Sequence, residues 1–267
     1  MKFNILKNFD KSCYFSYPYP HFVIRNAIDL DLYKNLEKEY LVIENYFQQQ
    51  KAFKKNNVRM QFNQLDLDHL NLDIPNWREF LIYHSSETHF KNMQQIFESD
   101  LNKIYPGLSE QISKNSENFK HFCQPAINTP VNKKTTVLMP HLDRYDTLFT
   151  GLFYLKNDND NSKGGDFEIY ESKKENYFYR KAEVSNLNSI KKFKTVKYEK
   201  NTFVGLLNTK NSIHSVSKRS KTNLPRRLVN FISKVPPNLS PLYSTQKDTN
   251  YVRILKNKIR DSFVLGR

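Results

Sequence analysis

The strongest indication of the fold comes from residues 135–170, which read TTVLMPHLDRYDTLFTGLFYLKNDNDNSKGGDFEIY. Short apolar segments in this stretch alternate with turn-forming clusters rich in Asn, Asp, Ser and Gly, and the alternation continues further along the chain. The pattern predicts strands at 135–142, 147–156, 166–170, 193–198, 202–208, 212–216 and 227–234. Short strands at this spacing favour an antiparallel sandwich or barrel over a fold of alternating strands and helices.

The first 118 residues predict mostly helices and loops, with one short strand. The segment 17–25, YPYPHFVIR, opens with prolines and predicts a short strand. Asp29 then stands where the N-cap of a helix over 30–41 is expected. The remaining predictions of this kind are loops over 45–75 and helices over about 76–103, within 106–118 and near 250–264.

Composition excludes several classes of protein. The chain has 267 residues, 38% hydrophobic and 14% aromatic, so it can bury a sizeable core and is not generally disordered. Because no run approaches ~18 apolar residues, we expect no transmembrane helix, and we expect no secretory signal at the N-terminus. Two cysteines, Cys13 and Cys123, cannot form a disulfide framework and predict free thiols in a reducing cytoplasm.

The charge is unevenly distributed along the chain. The formal net charge is +15, and residues 171–267 hold 22 of the 42 basic side chains but only 6 of the 27 acidic ones. This asymmetry fits an anionic partner of the C-terminal third, and it also fits an ordinary solvated Lys-rich surface. The basic runs 191–200 and 218–227 fit nucleic-acid binding, but protection of a sheet edge favours reading them as a charged loop and edge strand.

Residues 141–143 read His-Leu-Asp, and the side chains of His141 and Asp143 are candidate metal ligands. In a strand the first and third residues point to the same side, so these two side chains can converge on one metal ion. His214 follows the predicted strand 202–208 and a tight turn, and it can supply a third ligand from a neighbouring strand. Two imidazoles and one carboxylate form a facial triad, which is typical of non-haem Fe(II) oxygenases. We therefore predict that these three residues are the metal ligands and the catalytic residues.

A 2-oxoglutarate cosubstrate would need one further group, a cation for the carboxylate that does not chelate the iron. Arginine suits this role because its planar guanidinium matches a carboxylate with two hydrogen bonds. Arg226 and Arg227 open the predicted last strand, and strand alternation points only one of them inward. The apolar neighbours Val229 and Phe231 favour Arg227 as the inward cosubstrate-binding residue, with Arg226 as the alternative.

With these residues in place, the chain resembles the catalytic core of the 2-oxoglutarate/Fe(II)-dependent dioxygenases, in particular the prolyl-4-hydroxylase-like branch. The resemblance covers about residues 120–234 and rests on PHLDRYDTLFTGLFYLKNDNDNSKGGDFEIY, KNTFVGLLNTKNSIHSVSKRS and PRRLVNFI. It implies a mainly β fold with flanking helices, built on a double-stranded β-helix, which is a cupin-like jelly roll. It also implies a tight turn at Gly164 and Gly165 before the next core strand.

The resemblance further implies Fe(II) as the metal and 2-oxoglutarate and O2 as cosubstrates, with ascorbate as an accessory reductant. The matching ligands are His141, Asp143 and His214, and the matching arginine is Arg227, although the loop before it is slightly enlarged. The implied organisation is an N-terminal strand and helices supporting the barrel at 1–118, the catalytic double-stranded β-helix at 119–235, and a basic tail with a helix at 236–267.

The predicted activity is hydroxylation of a C–H bond, with succinate and CO2 as co-products. The sequence does not identify the substrate, for which an anionic molecule and a protein side chain are both expected candidates, and nucleic acid is not favoured. One rival prediction is a non-catalytic, degenerate barrel that holds an anionic partner such as nucleic acid on its basic C-terminal third. The other is a metal-dependent cupin isomerase or hydrolase, which the absence of extra histidines in the first motif disfavours.

Overall fold

The computed structural model describes residues 3–62, 72–173, 183–184, 186–240 and 242–243. Within these ranges the chain forms four α-helices and ten β-strands. The helices are α1 (Leu30–Gln48), α2 (Pro75–His84), α3 (Glu87–Ile104) and α4 (Leu108–Asn115). The strands are β1 (Tyr14–Phe15), β2 (His21–Arg25), β3 (Arg59–Gln61), β4 (Lys120–Asn128), β5 (Thr147–Tyr154), β6 (Phe167–Ser172), β7 (Ile190–Val196), β8 (Thr202–Leu207), β9 (His214–Val216) and β10 (Arg226–Lys234).

Two antiparallel sheets form the strand-rich part. The larger has the order β1-β2-β8-β5-β10-β4-β3, and the smaller has the order β7-β6-β9. Segment 135–141 runs beside β9 as an irregular fourth strand, because His141 and His214 exchange both backbone hydrogen bonds at 3.0 and 3.1 Å. Apolar side chains from both sheets fill the space between them, among them Leu152, Ile169 and Leu228. The predicted jelly-roll core with flanking helices is therefore confirmed.

Helices cover the other face of the larger sheet. Helix α1 buries side chains at helical spacing, including Leu36, Tyr40 and Phe47, against a core that contains Phe153 and Phe231 of the sheet. Because helices cover one side and the smaller sheet covers the other, every residue of β5 and β8 is buried. None of the helices in the part of the chain that the structure describes is both long enough and apolar enough to cross a membrane.

The N-terminal part contributes strands to the larger sheet. Strand β2 pairs with β8, and β3 pairs with β4. At the end of β2, the backbone N–H of Ile28 donates to Oδ1 of Asn201 at 3.0 Å, and Nδ2 of Asn201 donates to the carbonyl of Ile28 at 2.8 Å. The predicted division of the chain after residue 118 and after residue 235 stays a prediction.

The helical predictions need two corrections. The helix predicted over 30–41 extends to Gln48, and β3 lies inside the predicted loop 45–75. The helix predicted over 76–103 is two helices, because Ser86 interrupts it and accepts a hydrogen bond from the N–H of His89 at 3.4 Å as the N-cap of α3. The helix predicted near 250–264 lies outside the described residues.

The strand predictions also need two corrections. The predicted strand 135–142 is reduced to isolated bridges, and Pro140 within it has no N–H to donate to a ladder. Strand β4 has no counterpart among the predicted strands. The turn predicted at Gly164 and Gly165 is confirmed: both residues have left-handed φ angles, and a Cβ on Gly164 would lie 2.0 Å from the carbonyl oxygen of Lys218.

Two buried histidines, His84 and His89, and the half-buried His121 are packed where α2 and α3 meet the larger sheet. The rings of His84 and His89 are 4.7 Å apart, and His121 stacks on Phe90 at 4.3 Å. Neither ring nitrogen of His121 has a hydrogen-bond partner among the described residues. Burial lowers the pKa of His84 well below its ordinary value, that of His89 to about 3 and that of His121 to about 4.

We expect these histidines to make the free energy of unfolding fall as the pH is lowered from about 6.5 to about 4. The unfolded chain takes up protons on them near the ordinary pKa of about 6.5, whereas the folded chain takes them up only at lower pH. The contribution of these histidines to the free energy of unfolding is therefore complete above about pH 6.5. Below that pH, each histidine that is still neutral in the folded chain lowers the free energy of unfolding by about 1.4 kcal/mol per pH unit. Urea unfolding at about pH 7.5 and about pH 5 measures the effect.

A His121→Phe variant provides the control for this prediction. Phenylalanine keeps the stacking on Phe90 but takes up no proton, so the unfolding midpoint of the variant should depend less on pH than that of the native chain. Equal midpoints of the native chain at the two pH values would contradict the prediction.

Candidate metal centre

Three side chains converge at one end of the smaller sheet. His141 ends segment 135–141, Asp143 follows two residues later, and His214 begins β9. Nε2 of each histidine lies 3.8 Å from Oδ1 of Asp143. Within the described residues, this is the one group of three His, Cys, Asp or Glu side chains whose ligand atoms are close enough to hold a metal ion, all within 4.8 Å of one another. The structure thus brings together the three residues that the sequence indicates.

Each histidine of the group is oriented by a backbone carbonyl. Nδ1 of His141 lies 2.9 Å from the carbonyl oxygen of Met139, and Nδ1 of His214 lies 2.8 Å from that of Ser212. Because a carbonyl oxygen can only accept, Nδ1 carries the proton and donates, which leaves the lone pair of Nε2 free. A metal ion bound between the two Nε2 atoms and Asp143 requires this tautomer.

The charge states of the group also suit a divalent metal ion. Burial, with the neighbouring His214, lowers the pKa of His141 to about 3, so this imidazole is neutral near pH 7. Burial alone would raise the pKa of Asp143, but the two histidines and a hydrogen bond from Thr150 together hold it below its ordinary value. Two imidazole nitrogens and an ionised carboxylate form the donor set that non-haem Fe(II) sites use.

Two polar side chains fix the carboxylate of Asp143. Oγ1 of Thr150 donates to Oδ2 of Asp143 at 2.6 Å, and Nδ2 of Asn208 donates to Oγ1 of Thr150 at 2.8 Å. Since the Asn208 amide occupies an acceptor position of the hydroxyl, the hydroxyl proton points to Asp143. Oδ1 is therefore the oxygen left for a metal ion. Sequence reasoning missed both residues, and the only signal was a polar residue inside each apolar segment, TLFTGLFY and TFVGLLN.

Arg226 lies inside the barrel. It is 2% exposed, its Nε donates to the carbonyl of Gly165 at 2.7 Å, and its Nη1 donates to Oδ1 of Asn128 at 3.0 Å. Its guanidinium carbon lies 5.0 Å from the ring centre of Tyr154. Nη2 of Arg226 and Nδ2 of Asn128 have no hydrogen-bond partner among the residues that the structure describes. Two donors therefore remain for an anionic ligand inside the barrel.

The orientation predicted for Arg227 is wrong. Its side chain points to the helical layer, where Nε donates to Oε2 of Glu44 on α1 at 2.5 Å. Val229 and Phe231 lie on the same face and belong to the helix-facing core. The apolar neighbours of Arg227 therefore belong to the helical side of the sheet. The sheet is buried on both faces, and its inner face carries polar side chains such as Asn128 and Asn230 beside the apolar Leu228. The alternative from the sequence, Arg226, is the inward residue.

A second guanidinium lies near Arg226. Arg59 of β3 and Arg226 of β10 are both cross-strand partners of Asn128, so the three side chains share the inner face of the sheet. The side chain of Arg59 is exposed, and its Nε donates to Oε1 of Gln61 at 3.2 Å. Sequence reasoning missed Arg59 because it falls in a predicted loop.

Comparisons with known proteins give a remote likeness in structure alone. No protein-family model and no curated protein matches this chain. A Shewanella oneidensis protein described as an oxygenase aligns over 91% of this chain and 91% of its own, with 13% identity and a TM-score of 0.50. A Pseudomonas putida prolyl-4-hydroxylase covers 80% of this chain and 92% of its own, with 12% identity and a TM-score of 0.44. Phytophthora capsici prolyl 4-hydroxylase covers 90% and 68%, with 13% identity and a TM-score of 0.41.

The Shewanella likeness shows the fold. It agrees with the mainly β, jelly-roll architecture with flanking helices that the sequence predicts. The fold and the site together define a jelly-roll protein with a His-Asp-His cluster at one end of its barrel. Its reaction and its substrate do not follow from the fold.

Proposed function

We propose that this protein is an Fe(II)- and 2-oxoglutarate-dependent dioxygenase that hydroxylates a C–H bond. The observation that carries the proposal is the convergence of His141, Asp143 and His214, with both histidines in the tautomer that binds a metal ion. When bound, iron with 2-oxoglutarate and O2 supplies the oxidation of the C–H bond, with succinate and CO2 as co-products. The three side chains would hold the iron.

The charge of Arg226 supports 2-oxoglutarate as the cosubstrate. Two other buried arginines nearby have carboxylate partners, Arg227 with Glu44 and Arg219 with Asp160. Arg226 has no carboxylate partner among the described residues. A buried charge without a counter-ion lowers the free energy of unfolding by about 3–5 kcal/mol. A carboxylate bound to its Nη2 and to Nδ2 of Asn128 would satisfy both donors and the charge.

A turnover assay without a prime substrate tests the proposal. The purified protein is loaded with Fe(II) under anaerobic conditions, and succinate is measured after addition of 2-oxoglutarate and air, with and without ascorbate. We expect slow succinate release that depends on iron and on 2-oxoglutarate. Absence of succinate, together with no binding of 2-oxoglutarate to the Mn(II)-loaded protein, would contradict the proposal and favour a non-catalytic barrel.

The hydrogen bond from Thr150 gives a separate prediction on metal affinity. A Thr150→Val variant keeps the size of the side chain but removes the donor to Oδ2 of Asp143, so the carboxylate loses its fixed orientation. We expect the affinity for Mn(II), measured by calorimetry, to fall ~10- to 100-fold.

Two matched variants control for a general loss of structure. Thr150→Ser keeps the hydroxyl and should retain most of the affinity. Thr147→Val changes a buried threonine at the start of the same strand and should leave the affinity unchanged. Equal Mn(II) affinity in Thr150→Val and in the native chain would show that the hydroxyl does not position Asp143.

The substrate class, the compartment and the partners stay predictions. A screen of succinate release with peptides, nucleotides and sugars would identify the substrate class, because a prime substrate should raise the rate above the basal turnover.

A further inference from the structure

Four loop segments come together at one end of the barrel and carry exposed lysines. We call the segments 51–57, 129–136, 161–165 and 217–224 together the lysine cap. Their lysines are Lys51, Lys54, Lys55, Lys133, Lys134, Lys163, Lys218 and Lys221, and all eight are exposed. The four segments contain no Asp and no Glu. The charged side chains of the four segments are therefore all positive, although the chain as a whole carries charges of both signs.

Hydrogen bonds hold the four segments of the cap in place. Oδ1 of Asn56 accepts from the backbone N–H of Asn132 at 2.6 Å, which joins the first segment to the second. Val131 and Thr222 exchange both backbone hydrogen bonds at 2.9 and 3.0 Å, which joins the second to the fourth. The N–H of Ser220 donates to the carbonyl of Lys163 at 2.8 Å. The lysines thus stand on a fixed surface.

The two carboxylates that precede the third segment of the cap have other partners. Asp160 is buried and paired with the guanidinium of Arg219 at 2.6 Å, and Asp158 pairs with Lys200 at 2.7 Å. Within the described residues, no lysine of the cap forms an ion pair. Eight like charges at one end of the barrel repel one another unless an anion lies against them.

The cap lies away from the metal centre. Segment 135–141 runs along β9 and the residues after it, with His141 beside His214 at one end and Thr135 beside Arg219 at the other. Six residues of extended chain span about 20 Å. An anion on the cap would therefore leave the end of the barrel that carries the metal ligands uncovered.

We propose that the lysine cap binds the phosphate backbone of a double-helical nucleic acid. Lys, Ser, Thr and Asn side chains are among the groups that contact phosphates in protein–DNA complexes, and the cap presents these types, including Asn132, Ser220 and Asn223. Repeated lysines on a fixed surface match the repeated charges of a duplex. The inference does not depend on the proposed dioxygenase activity.

The composition of the cap favours a duplex over other polyanions. None of the exposed large hydrophobic side chains of the described chain lies in the four segments. Single strands bind through stacking on exposed aromatic side chains, and protein partners bind through an apolar core, so neither finds its usual contacts here. Anionic membranes hold proteins more firmly when apolar side chains insert, and the cap has none exposed.

Fluorescence anisotropy with a short labelled DNA duplex and the matching RNA duplex tests the proposal on the full chain. We expect binding to weaken steeply as the salt concentration rises. Each phosphate that the protein contacts should add about −0.9 to the slope of log K against log[salt]. The test variant replaces one lysine in each segment: Lys55→Ala, Lys133→Ala, Lys163→Ala and Lys221→Ala. We expect it to bind at least ~10-fold more weakly and to have a slope smaller by about 3 to 4.

Two further variants, each lacking four cations, make the result decisive. The first alters exposed lysines of the helices, Lys34, Lys38, Lys103 and Lys114, and should bind like the native chain. The second alters Arg253, Lys256, Lys258 and Arg260 of the tail. Undiminished binding in the cap variant, or loss of binding only in the tail variant, would overturn the proposal. Tighter binding to polyglutamate, to a single strand or to phosphatidylserine vesicles than to either duplex would overturn it as well.

Discussion

Replacing Asp143 with Asn should abolish both iron binding and succinate release. The amide is neutral, so the two imidazoles would face the metal ion without the anionic ligand of the group. Loss of an outer hydrogen bond to a ligand already costs ~10- to 100-fold in metal affinity, and loss of the ligand charge should cost more than ~100-fold. Iron content after anaerobic loading, Mn(II) calorimetry and succinate release measure the effect. His141→Ala should have the same result.

Asp146→Asn is the matched control for this substitution. Asp146 lies three residues further on and pairs with Arg144 and Lys234, away from the histidines. This variant should bind iron and release succinate as the native chain does. Normal iron content and normal succinate release in Asp143→Asn would refute the assignment of the metal centre.

Removing the charge of Arg226 should raise the concentration of 2-oxoglutarate needed for half-maximal succinate release by ~10- to 100-fold or more. Hydrogen bonds to charged groups contribute about 1.5–3 kcal/mol each, and the Arg226→Met variant would lose such bonds to the cosubstrate. Mn(II) affinity should stay near the native value, because Arg226 does not contact the metal ligands. Calorimetry with 2-oxoglutarate and the Mn(II)-loaded protein separates binding from turnover.

Arg227→Met should behave in the opposite way. It leaves the buried carboxylate of Glu44 without its partner, so we expect a loss of about 3–5 kcal/mol in the free energy of unfolding. The requirement for 2-oxoglutarate should not change. Adding Glu44→Gln to this variant should restore part of the stability, because it removes the unpaired charge. A greater 2-oxoglutarate requirement in Arg227→Met than in Arg226→Met would reverse the assignment of the two arginines.

The convergence of His141, Asp143 and His214 could be predicted from the sequence because its constraints are local. His141 and Asp143 are two residues apart, and the strand and turn before His214 limit where that residue can lie. The turn at Gly164 and Gly165 could also be predicted, since a left-handed backbone selects glycine. These features depend on few neighbours, and the sequence contains all of them.

Which of Arg226 and Arg227 points into the barrel could not be predicted in the same way, because the orientation depends on packing. Alternation along β10 places Arg226 and Arg227 on opposite faces, but both faces of this strand are buried. Nothing in the strand itself shows that α1 supplies Glu44 on one face. The hydrogen bond from Thr150 to Asp143 and the position of Arg59 likewise depend on strand register, which residue spacing does not give.

The pairing of β2 with β8 bears on how the chain reaches its native state. The hydrogen bond between Ile28 and Asn201 closes a separation of 173 residues. During synthesis from the N-terminus, β2 therefore has only the two-residue strand β1 beside it, and its other edge stays unpaired until β8 has left the ribosome. Contacts between residues so far apart in the sequence slow folding, and a strand with an apolar face and one unpaired edge invites aggregation in the meantime. The incomplete sheet should make the nascent chain depend on chaperones until its last core strands have been made.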